Sequence, residues 1–503
     1  MTMHRIARFT LVMLFGIAAS ALAQGQVLRV AAIAGPPTLD PHASTTRATA
    51  DVGINIFESL VGYGEDFSPQ PQIARSWDIS DDGLTYTFYL YEGILFHNGK
   101  VLTATDVEAS LERVFEMGVY RARFGDVSSM EVIDDHTVRL HLDQPSAPFL
   151  INLAEPSIAI MPVEAIEGRD LREADLIGTG PFEFVEWLPD RHVHLRRFDD
   201  YVPRDGEATG NTGRRSAMVD EVLIIPVPEE SARAAGLETG EYHIADFLPY
   251  GAGRRLMQDP DVSILEVDQH MKPFIYINHH ADRPTTNIDL RRAIQAALNH
   301  EEIMAVASEG YGTVDPSIGF RVWTSDAGSE YFDIRDQDAA REYLEAAGYD
   351  GRPLVLVTNT DFDVMYRSAL MIERQLQQVG IEIDLQVFDW PGSRALRDTL
   401  QWDLFISGHL LQEDPSVIDF HFNPATSPFA MDDPVVTELL DRGRTETDFE
   451  ERFAIYAELQ ETVYRNANWI KLFDQNIFQG VRNEVDGYLP WPYMRVFNVS
   501  IGN

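Results

Sequence analysis

Alternating strand-like and helix-like segments, from about residue 274 onward, restrict the possible folds more than any other feature of this sequence. They comprise FIYIN (274–278), a helical pattern at 289–299, RPLVLVT (352–358), a helical pattern near 364–379, IEIDLQVF (381–388), a short helix and WDLFIS (402–407). Strand–helix–strand order favours parallel strands joined by right-handed crossovers. The sequence therefore predicts an α/β fold for this part of the chain.

The chain returns near its end to the strand-rich pattern with which it opens. Strand patterns occur at 27–34, 182–187, 192–197 and 221–227, and short strands are predicted again between 475 and 503. This return predicts a discontinuous domain, in which one lobe is built from both ends of the chain and the other is inserted as a block. Two or three segments then cross between the lobes, which is the geometry of a hinge.

Two local patterns give specific structural expectations. Thr105-x-x-Glu108 has the spacing of a capping box and predicts a helix that continues through Val114. The segment 203–216 is rich in Gly, Arg and Asp, which predicts an exposed loop. Neither pattern indicates a function by itself.

The first 23 residues have the three parts of a secretory signal peptide. Arg5 and Arg8 form a basic start, residues 9–19 are apolar, and Ala21-Leu22-Ala23 matches an A-x-A cleavage site. The apolar run is shorter than the roughly 20 residues of a transmembrane helix. We therefore expect residues 1–23 to be removed and the protein to be released into the periplasm, with no direct membrane insertion.

Cysteine is absent from the sequence. This excludes disulfides, thiolate metal sites and a cysteine nucleophile. It also removes the lipid-modified cysteine that tethers some exported proteins to a membrane. We therefore expect a periplasmic protein without a lipid anchor.

The charge is strongly acidic, with 80 Asp and Glu residues against 40 Lys and Arg residues and a net charge of −40. Such a surface repels the phosphates of nucleic acids and anionic lipids, so neither is an expected partner. Two interpretations of the charge remain open. It is either a salt-tolerant solvated surface or a means of attracting a cationic ligand.

Motifs of known enzymes and metal sites do not occur. There is no G-x-S-x-G elbow, P-loop or G-x-G-x-x-G sequence. The stretch 300–304 begins like a zinc-binding helix but has Met304 where the second histidine is needed. His192 and His194 share one face of a predicted strand, which is typical of a solvated face. The sequence predicts no catalytic residue, cofactor or resident metal.

Residues that follow the predicted parallel strands are candidates for a ligand pocket. Loops at the carboxyl ends of such strands line ligand crevices in α/β proteins. Trp390 follows the strand 381–388, and Gly408 and His409 end the strand 402–407. Trp323 lies in a segment rich in Gly, Ser and Asp. For the two tryptophans, lining a pocket and ordinary packing both remain possible.

Several ordered motifs together resemble one known family. They are Pro71-x-x-Ala74-x-x-Trp77, SDDGLTYTF (80–88), FHNG (96–99), TATDV (103–107), IGTGPFEFVEW (177–187), LETGEYHIADF (237–247), DLRRAIQAALNHEEIM (289–304) and REYLEAAGYDG (341–351). The stretch 55–113 is similar to the signature region of the family 5 extracellular solute-binding proteins. These are the periplasmic components of oligopeptide, dipeptide and nickel ABC importers.

The resemblance implies a fold and a mechanism. The fold is α/β, a two-lobed periplasmic-binding-protein (Venus-flytrap) architecture of type II-like topology with an additional domain II. A small solute binds between domains I and III and favours the closed state. The closed monomer then docks on the permease subunits of an ABC transporter and breaks no bond. The implied divisions are residues 1–23 as signal peptide, 24–44 with 181–270 and 483–503 as domain I, 45–180 as domain II, and 271–482 as domain III.

The resemblance also implies where the ligand lies. Thr38, Leu39 and Asp40 follow the first strand, and Tyr276 and Asn278 end the strand 274–278. The remaining ligand-contacting candidates are Trp323, Trp390, Gly408, His409 and Leu411.

The solute class is less well defined than the family. In peptide-binding members an aspartate four residues before a proline pairs with the terminal ammonium of the peptide. Leu411 occupies that position before Pro415 here, so only Glu413 or Asp414 is left to supply the charge. A peptide-like or peptide-derived solute is expected. An opine, a sugar or a nickel chelate, a sensing module, and a secreted hydrolase are the alternatives.

Overall fold

Twenty strands and thirteen α-helices make up the computed structural model, which describes residues 25–166, 171, 175–319, 321–410 and 414–502. The expected signal peptide (residues 1–23) and Leu411 lie outside the described residues. The strands are β1 (Val27–Ala32), β2 (Val61–Tyr63), β3 (Pro69–Pro71), β4 (Ala74–Ile79), β5 (Thr85–Leu90), β6 (Val127–Asp134), β7 (Thr137–Leu142), β8 (Phe182–Leu188), β9 (His192–Arg197), β10 (Glu221–Pro226), β11 (Ile244–Leu248), β12 (Val262–Ile277), β13 (Gly312–Thr313), β14 (Leu354–Asn359), β15 (Ile383–Phe388), β16 (Leu404–Leu410), β17 (Trp469–Lys471), β18 (Asp474–Arg482), β19 (Val485–Asp486) and β20 (Ser500–Ile501).

The helices occur in every part of the chain between these strands. They are α1 (Arg47–Ile56), α2 (Ala104–Met117), α3 (Phe149–Leu153), α4 (Val163–Ile166), α5 (Glu230–Thr239), α6 (Tyr250–Leu256), α7 (Ile288–Ala297), α8 (His300–Ala307), α9 (Gln337–Ala347), α10 (Asp363–Gln378), α11 (Trp390–Asp398), α12 (Pro434–Thr445) and α13 (Phe449–Arg465). Across the described segments, none of them combines the length and the apolar character that a bilayer span requires.

One mixed sheet of twelve strands extends through both halves of the molecule. Its order is β15-β14-β16-β12-β18-β11-β1-β10-β9-β8, with β17 on β12 and β13 on β18. Strand β14 is parallel to both β15 and β16, and helices α10 and α11 provide the connections. The predicted strand–helix–strand units are therefore confirmed. Strand β1 is parallel to β10 and β11, so each half has its own parallel centre.

Strand β12 passes from one half of this sheet to the other and bends on the way. Its first part, up to Val267, pairs with β18, and its second part, from Met271, pairs with β16. The register shifts between these two parts, and Gln269 has a positive φ of 50°. A bulge of this kind bends a strand locally. The bend lies at the proposed boundary between domains I and III at 270/271.

A second sheet, of four antiparallel strands, stands apart from the large one. Its order is β4-β5-β7-β6, and α2 packs against it. Its core is built from residues between 54 and 160 together with Trp491, with Phe88, Phe96 and Leu111 fully buried. Separate apolar cores cover the two halves of the large sheet. This partition is consistent with the three proposed domains.

Two local expectations were wrong, one of them in part. The capping box of α2 is formed by Thr103 and Asp106, two residues before the predicted pair, because the shorter Asp side chain also reaches the N-cap backbone, at 3.0 Å. The segment 203–216 is irregular, as predicted, but only partly exposed, since Arg204 and Arg215 are buried and both bind the carboxylate of Glu58. A buried acid attracts arginines that composition alone assigns to the surface.

Candidate functional site

A cavity beside the bend in β12 collects residues from distant parts of the chain. Its cavity volume is about 100 Å³, and it is partly open to solvent. Its walls come from 41–53, Tyr120, Arg123, 155–157, His270, Leu410, Pro492 and Tyr493. All three proposed domains therefore contribute to this space, which we call the inner cavity.

Arg47 lies in the inner cavity at the first turn of α1. Thr46 caps this helix, which fixes the direction of the side chain that follows it. Arg47 Nη2 lies 2.8 Å from Asp246 Oδ2, and the guanidinium carbon of Arg47 lies 5.2 Å from the centre of the Phe247 ring. Burial alone would lower the pKa of Arg47, but Asp246 and Asp51 outweigh it and raise the pKa. Nη1 is buried and has no hydrogen-bond partner in the described protein.

His270 faces the same cavity from the bend in β12. Its ring packs edge-on against Phe247 at 4.7 Å, so one aromatic ring supports both His270 and Arg47. Burial, and then the positive charge of Arg47, lower the pKa of His270 well below its usual value. The imidazole is therefore neutral at physiological pH. Its Nε2 is buried without a partner among the described residues.

Ser157 and Glu155 form the opposite part of the wall. The hydroxyl of Ser157 is buried and has no partner in the described structure. Glu155 accepts a hydrogen bond from the Tyr63 hydroxyl at 3.1 Å and lies 4.0 Å from Arg123. Burial raises the pKa of Glu155, and Arg123 opposes this shift.

Three groups in the inner cavity are thus left without hydrogen-bond partners in the described protein: Arg47 Nη1, His270 Nε2 and Ser157 Oγ. Buried polar groups in folded proteins nearly always have partners. All three can donate a hydrogen bond, His270 in its Nε2–H tautomer. A ligand oxygen, above all a carboxylate, satisfies such a set.

A second and larger space continues outward from the inner cavity. Its cavity volume is about 920 Å³, and it lies, largely open, between residues 119–152 on one side and 416–445 on the other. Tyr120 and Arg123 line both spaces, so the two spaces form one cleft. At the far end, the N–H of Ala147 donates to the Arg444 carbonyl at 2.9 Å. We call this second space the outer chamber.

The predicted residues after the first strand are engaged within the protein. Leu39 belongs to an apolar core. The carboxylate of Asp40 accepts two hydrogen bonds from Arg113, at 2.6 and 3.1 Å. The Thr38 hydroxyl accepts from the Asp40 N–H at 3.1 Å. These contacts order the turn that leads into α1.

The predicted residues at the end of β12 are deeply buried. The Tyr276 hydroxyl bonds to His421 Nδ1. The Asn278 amide donates to the carbonyls of Leu400 and Trp402, at 3.1 and 2.8 Å. Both side chains connect β12 to the segments beside it.

The predicted residues of domain III pack against other side chains of the protein. Trp323 stacks on Arg452 and Trp390 packs on Phe362. Gly408 faces two methionine side chains, and the ring of His409 packs 4.0 Å from that of His421. Nine of the ten predicted ligand-contacting residues belong to the described structure, and none of the nine lines the inner cavity or the outer chamber. Leu411 lies outside the described residues, directly after Leu410 of the inner cavity. Ligand contact by these ten residues stays a prediction.

Sequence reasoning missed Arg47, Ser157 and His270. One signal was available, because an arginine in the first turn of a helix opposes the helix dipole and indicates another role. His270 could not be identified, since its position depends on a bulge.

Two histidines considered in the sequence analysis lie outside the inner cavity. His192 and His194 face Glu186 and Glu221 on a half-buried strand. Among the described residues no group of three His, Asp or Glu side chains could hold a metal ion.

Similarities to known proteins extend over nearly the whole chain. The family model of bacterial extracellular solute-binding proteins, family 5 middle region, matches residues 68–426. The glutathione-binding protein GsiB of Salmonella typhi is 26% identical over 494 residues, which covers 90% of this chain and 90% of that protein. The structure of AgaA from A. tumefaciens R10 with agropinic acid has a TM-score of 0.78 and 25% identity over 95% of this chain and 99% of AgaA. DppA of Helicobacter pylori with the peptide STSA gives a TM-score of 0.77 and 24% identity, over 95% and 98% of the two chains.

Proposed function

The chain belongs to the bacterial extracellular solute-binding proteins of family 5, and from this membership we propose that it captures a peptide-derived solute whose carboxylate lies in the inner cavity. Members of the family are the solute-binding components of ABC importers. The predicted two-lobed periplasmic-binding-protein fold is confirmed by the structural similarities. The protein therefore functions in solute uptake, and the identity of the solute is the open question.

One observation supports the proposed ligand class. The inner cavity holds three buried groups that can donate hydrogen bonds and have no partner in the described protein: Arg47 Nη1, His270 Nε2 and Ser157 Oγ. A carboxylate supplies two oxygens and the negative charge that an arginine favours. The relative named for glutathione and the neighbour solved with agropinic acid are similar in this respect, since both of those ligands carry carboxylates.

The nearby acids favour a peptide derivative over a peptide with a free terminal ammonium. Asp414 is buried and accepts two hydrogen bonds from Arg452, at 2.6 and 2.7 Å. Its charge is therefore already neutralised. Leu411 offers no carboxylate and Asp414 is already paired, so of the acids considered for this role only Glu413, outside the described residues, is left to pair with an α-ammonium.

Ligand capture couples to closure of the lobes. A solute that contacts both sides of the cleft favours the closed state by its differential affinity for the two states. The hydrogen bond from the Ala147 N–H to the Arg444 carbonyl joins the two sides of the outer chamber. We further propose that residues 1–23 direct export to the periplasm, and that a monomer delivers the unaltered solute to the permease.

The test is mass spectrometry of small molecules released from natively purified, denatured protein. A thermal-shift panel of peptides, N-acylated peptides, glutathione, opines, sugars and Ni²⁺ chelates follows. Saturable stabilisation by carboxylate-bearing peptide derivatives is expected, of about 3 kcal/mol at one hundred times Kd. A sugar or a nickel chelate as the recovered molecule contradicts the proposed class, and turnover of the ligand by pure protein supports a hydrolase instead.

A further inference from the structure

The outer chamber contains a buried carboxyl group that is only partly satisfied. Asp419 lies in the 3-10 turn Pro415–His421 and is 9% exposed. Its Oδ1 lies 3.4 Å from the Tyr456 hydroxyl, and its Oδ2 has no partner in the described residues. Asp419 is one of the residues that line the outer chamber. A buried carboxyl oxygen without a donor is costly and indicates a missing partner.

The surroundings of Asp419 favour a positive partner. Burial, and then the negative charge of Asp414, raise the pKa of Asp419 well above its usual range, while Arg444 and Arg452 oppose the shift. Both arginines are already committed to other acids. Arg452 binds Asp414, and Arg444 binds Asp441. A cation from outside the chain is the partner that lets Asp419 ionise.

We propose that Asp419 binds an ammonium or guanidinium group at the distal end of the ligand whose carboxylate occupies the inner cavity. This inference rests on the function proposed above. Tyr120 and Arg123 line both spaces, so one elongated dipolar molecule can reach from Arg47 to Asp419. The cation is a side-chain group, as in lysine or arginine derivatives, and is distinct from an α-ammonium next to position 411.

Two probes that differ by one charge test the pairing. Nα-acetyl-lysyl-alanine and Nα-acetyl-norleucyl-alanine have the same carboxylate, lack an α-ammonium and differ in the side-chain ammonium. Isothermal titration calorimetry of the full protein is expected to show the lysyl probe binding about 10- to 100-fold more tightly. Asp419→Asn, which keeps the shape of the side chain, removes this preference. Asp419→Glu keeps it, and so does Asp398→Asn, which removes an exposed acid of α11.

Every other result contradicts either the role of Asp419 or the proposed ligand class. Equal affinity for the two probes in the unmodified protein, or an unchanged preference in Asp419→Asn, overturns the assignment of Asp419 and leaves the peptide-derived class intact. Absence of saturable binding by both probes overturns that class itself, and the pairing with it. Circular dichroism and the urea midpoint of each variant exclude misfolding as the cause, and the charge-retaining Asp419→Glu variant separates loss of charge from loss of packing.

Discussion

The ion pair between Arg452 and Asp414 holds the turn that carries Asp419, and breaking it is the most informative stability test. The two side chains are 5% and 6% exposed. Two hydrogen bonds of 2.6 and 2.7 Å join them, and Arg452 Nε also donates to the Gly443 carbonyl at 2.7 Å. The guanidinium lies 4.9 Å from the centre of the Trp323 ring.

Arg452→Met keeps most of the apolar volume and leaves Asp414 buried without its counter-ion. Removing one partner of a buried ion pair destabilises a protein by about 3–5 kcal/mol. Urea unfolding followed by tryptophan fluorescence measures this loss, since four of the seven tryptophans lie in the proposed domain III. Arg465→Met is the control, because this arginine of the same helix has an exposed pair with Glu461 and is expected to lose less than about 0.5 kcal/mol.

The pH dependence provides an independent check. Burial alone would raise the pKa of Asp414, but Arg452 and the hydrogen bonds outweigh it and lower the pKa. A carboxyl group whose pKa is lowered on folding stabilises the protein above its unfolded pKa of about 3.9, and this stabilisation is lost as the pH falls through the folded value. In Arg452→Met burial acts on Asp414 without the counter-ion, so the difference between the wild type and the variant is expected to shrink as the pH falls from the raised pKa of Asp414 in the variant to its lowered pKa in the wild type. A loss under about 1 kcal/mol at pH 7, or a loss independent of pH, refutes this reasoning. The double variant Asp414→Asn with Arg452→Met is expected to recover part of the stability.

Three further changes have defined outcomes. Ser157→Ala removes a hydroxyl that has no partner in the described protein, so the unfolding free energy stays within about 0.5 kcal/mol while ligand affinity falls about fivefold in calorimetry. Gly178→Ala places a Cβ 2.1 Å from the Ile56 carbonyl oxygen and is expected to destabilise the protein by at least about 1–3 kcal/mol in urea unfolding. Burial lowers the pKa of Lys272 to about 7, so the folded state binds fewer protons than the unfolded state between that value and about 10.4. Stability from this residue therefore rises with pH across that window, and Lys272→Met is expected to remove the rise between pH 7 and pH 9. An unchanged slope in that variant contradicts the assigned pKa.

The strand–helix–strand units could be predicted because they depend on local periodicity. Strands β14, β15 and β16 are apolar runs separated by helical patterns, and their parallel pairing follows from chain order. The long strand β12 was predicted only from residue 274, because its first half is stabilised by pairing with β18, about two hundred residues later. Local pattern contains no information on such a partner.

The roles of the cavity residues likewise depend on contacts that local sequence does not show. Arg47 is directed by Asp246 and Phe247, which are remote in sequence, and His270 is directed by a bulge within β12. The burial of part of the segment 203–216 is not predictable from composition, because Arg204 and Arg215 bind Glu58 in another part of the chain. In each case a polar or charged side chain is positioned by tertiary structure, which composition and spacing do not show.

Small-angle X-ray scattering of the protein with and without its natively bound molecule tests the central claim most directly. If the solute is held between two lobes by contacts on both sides, saturation decreases the radius of gyration, and the molecule is recovered with its mass unchanged. Superimposable scattering curves at saturation, or a recovered molecule of altered mass, contradict capture by closure.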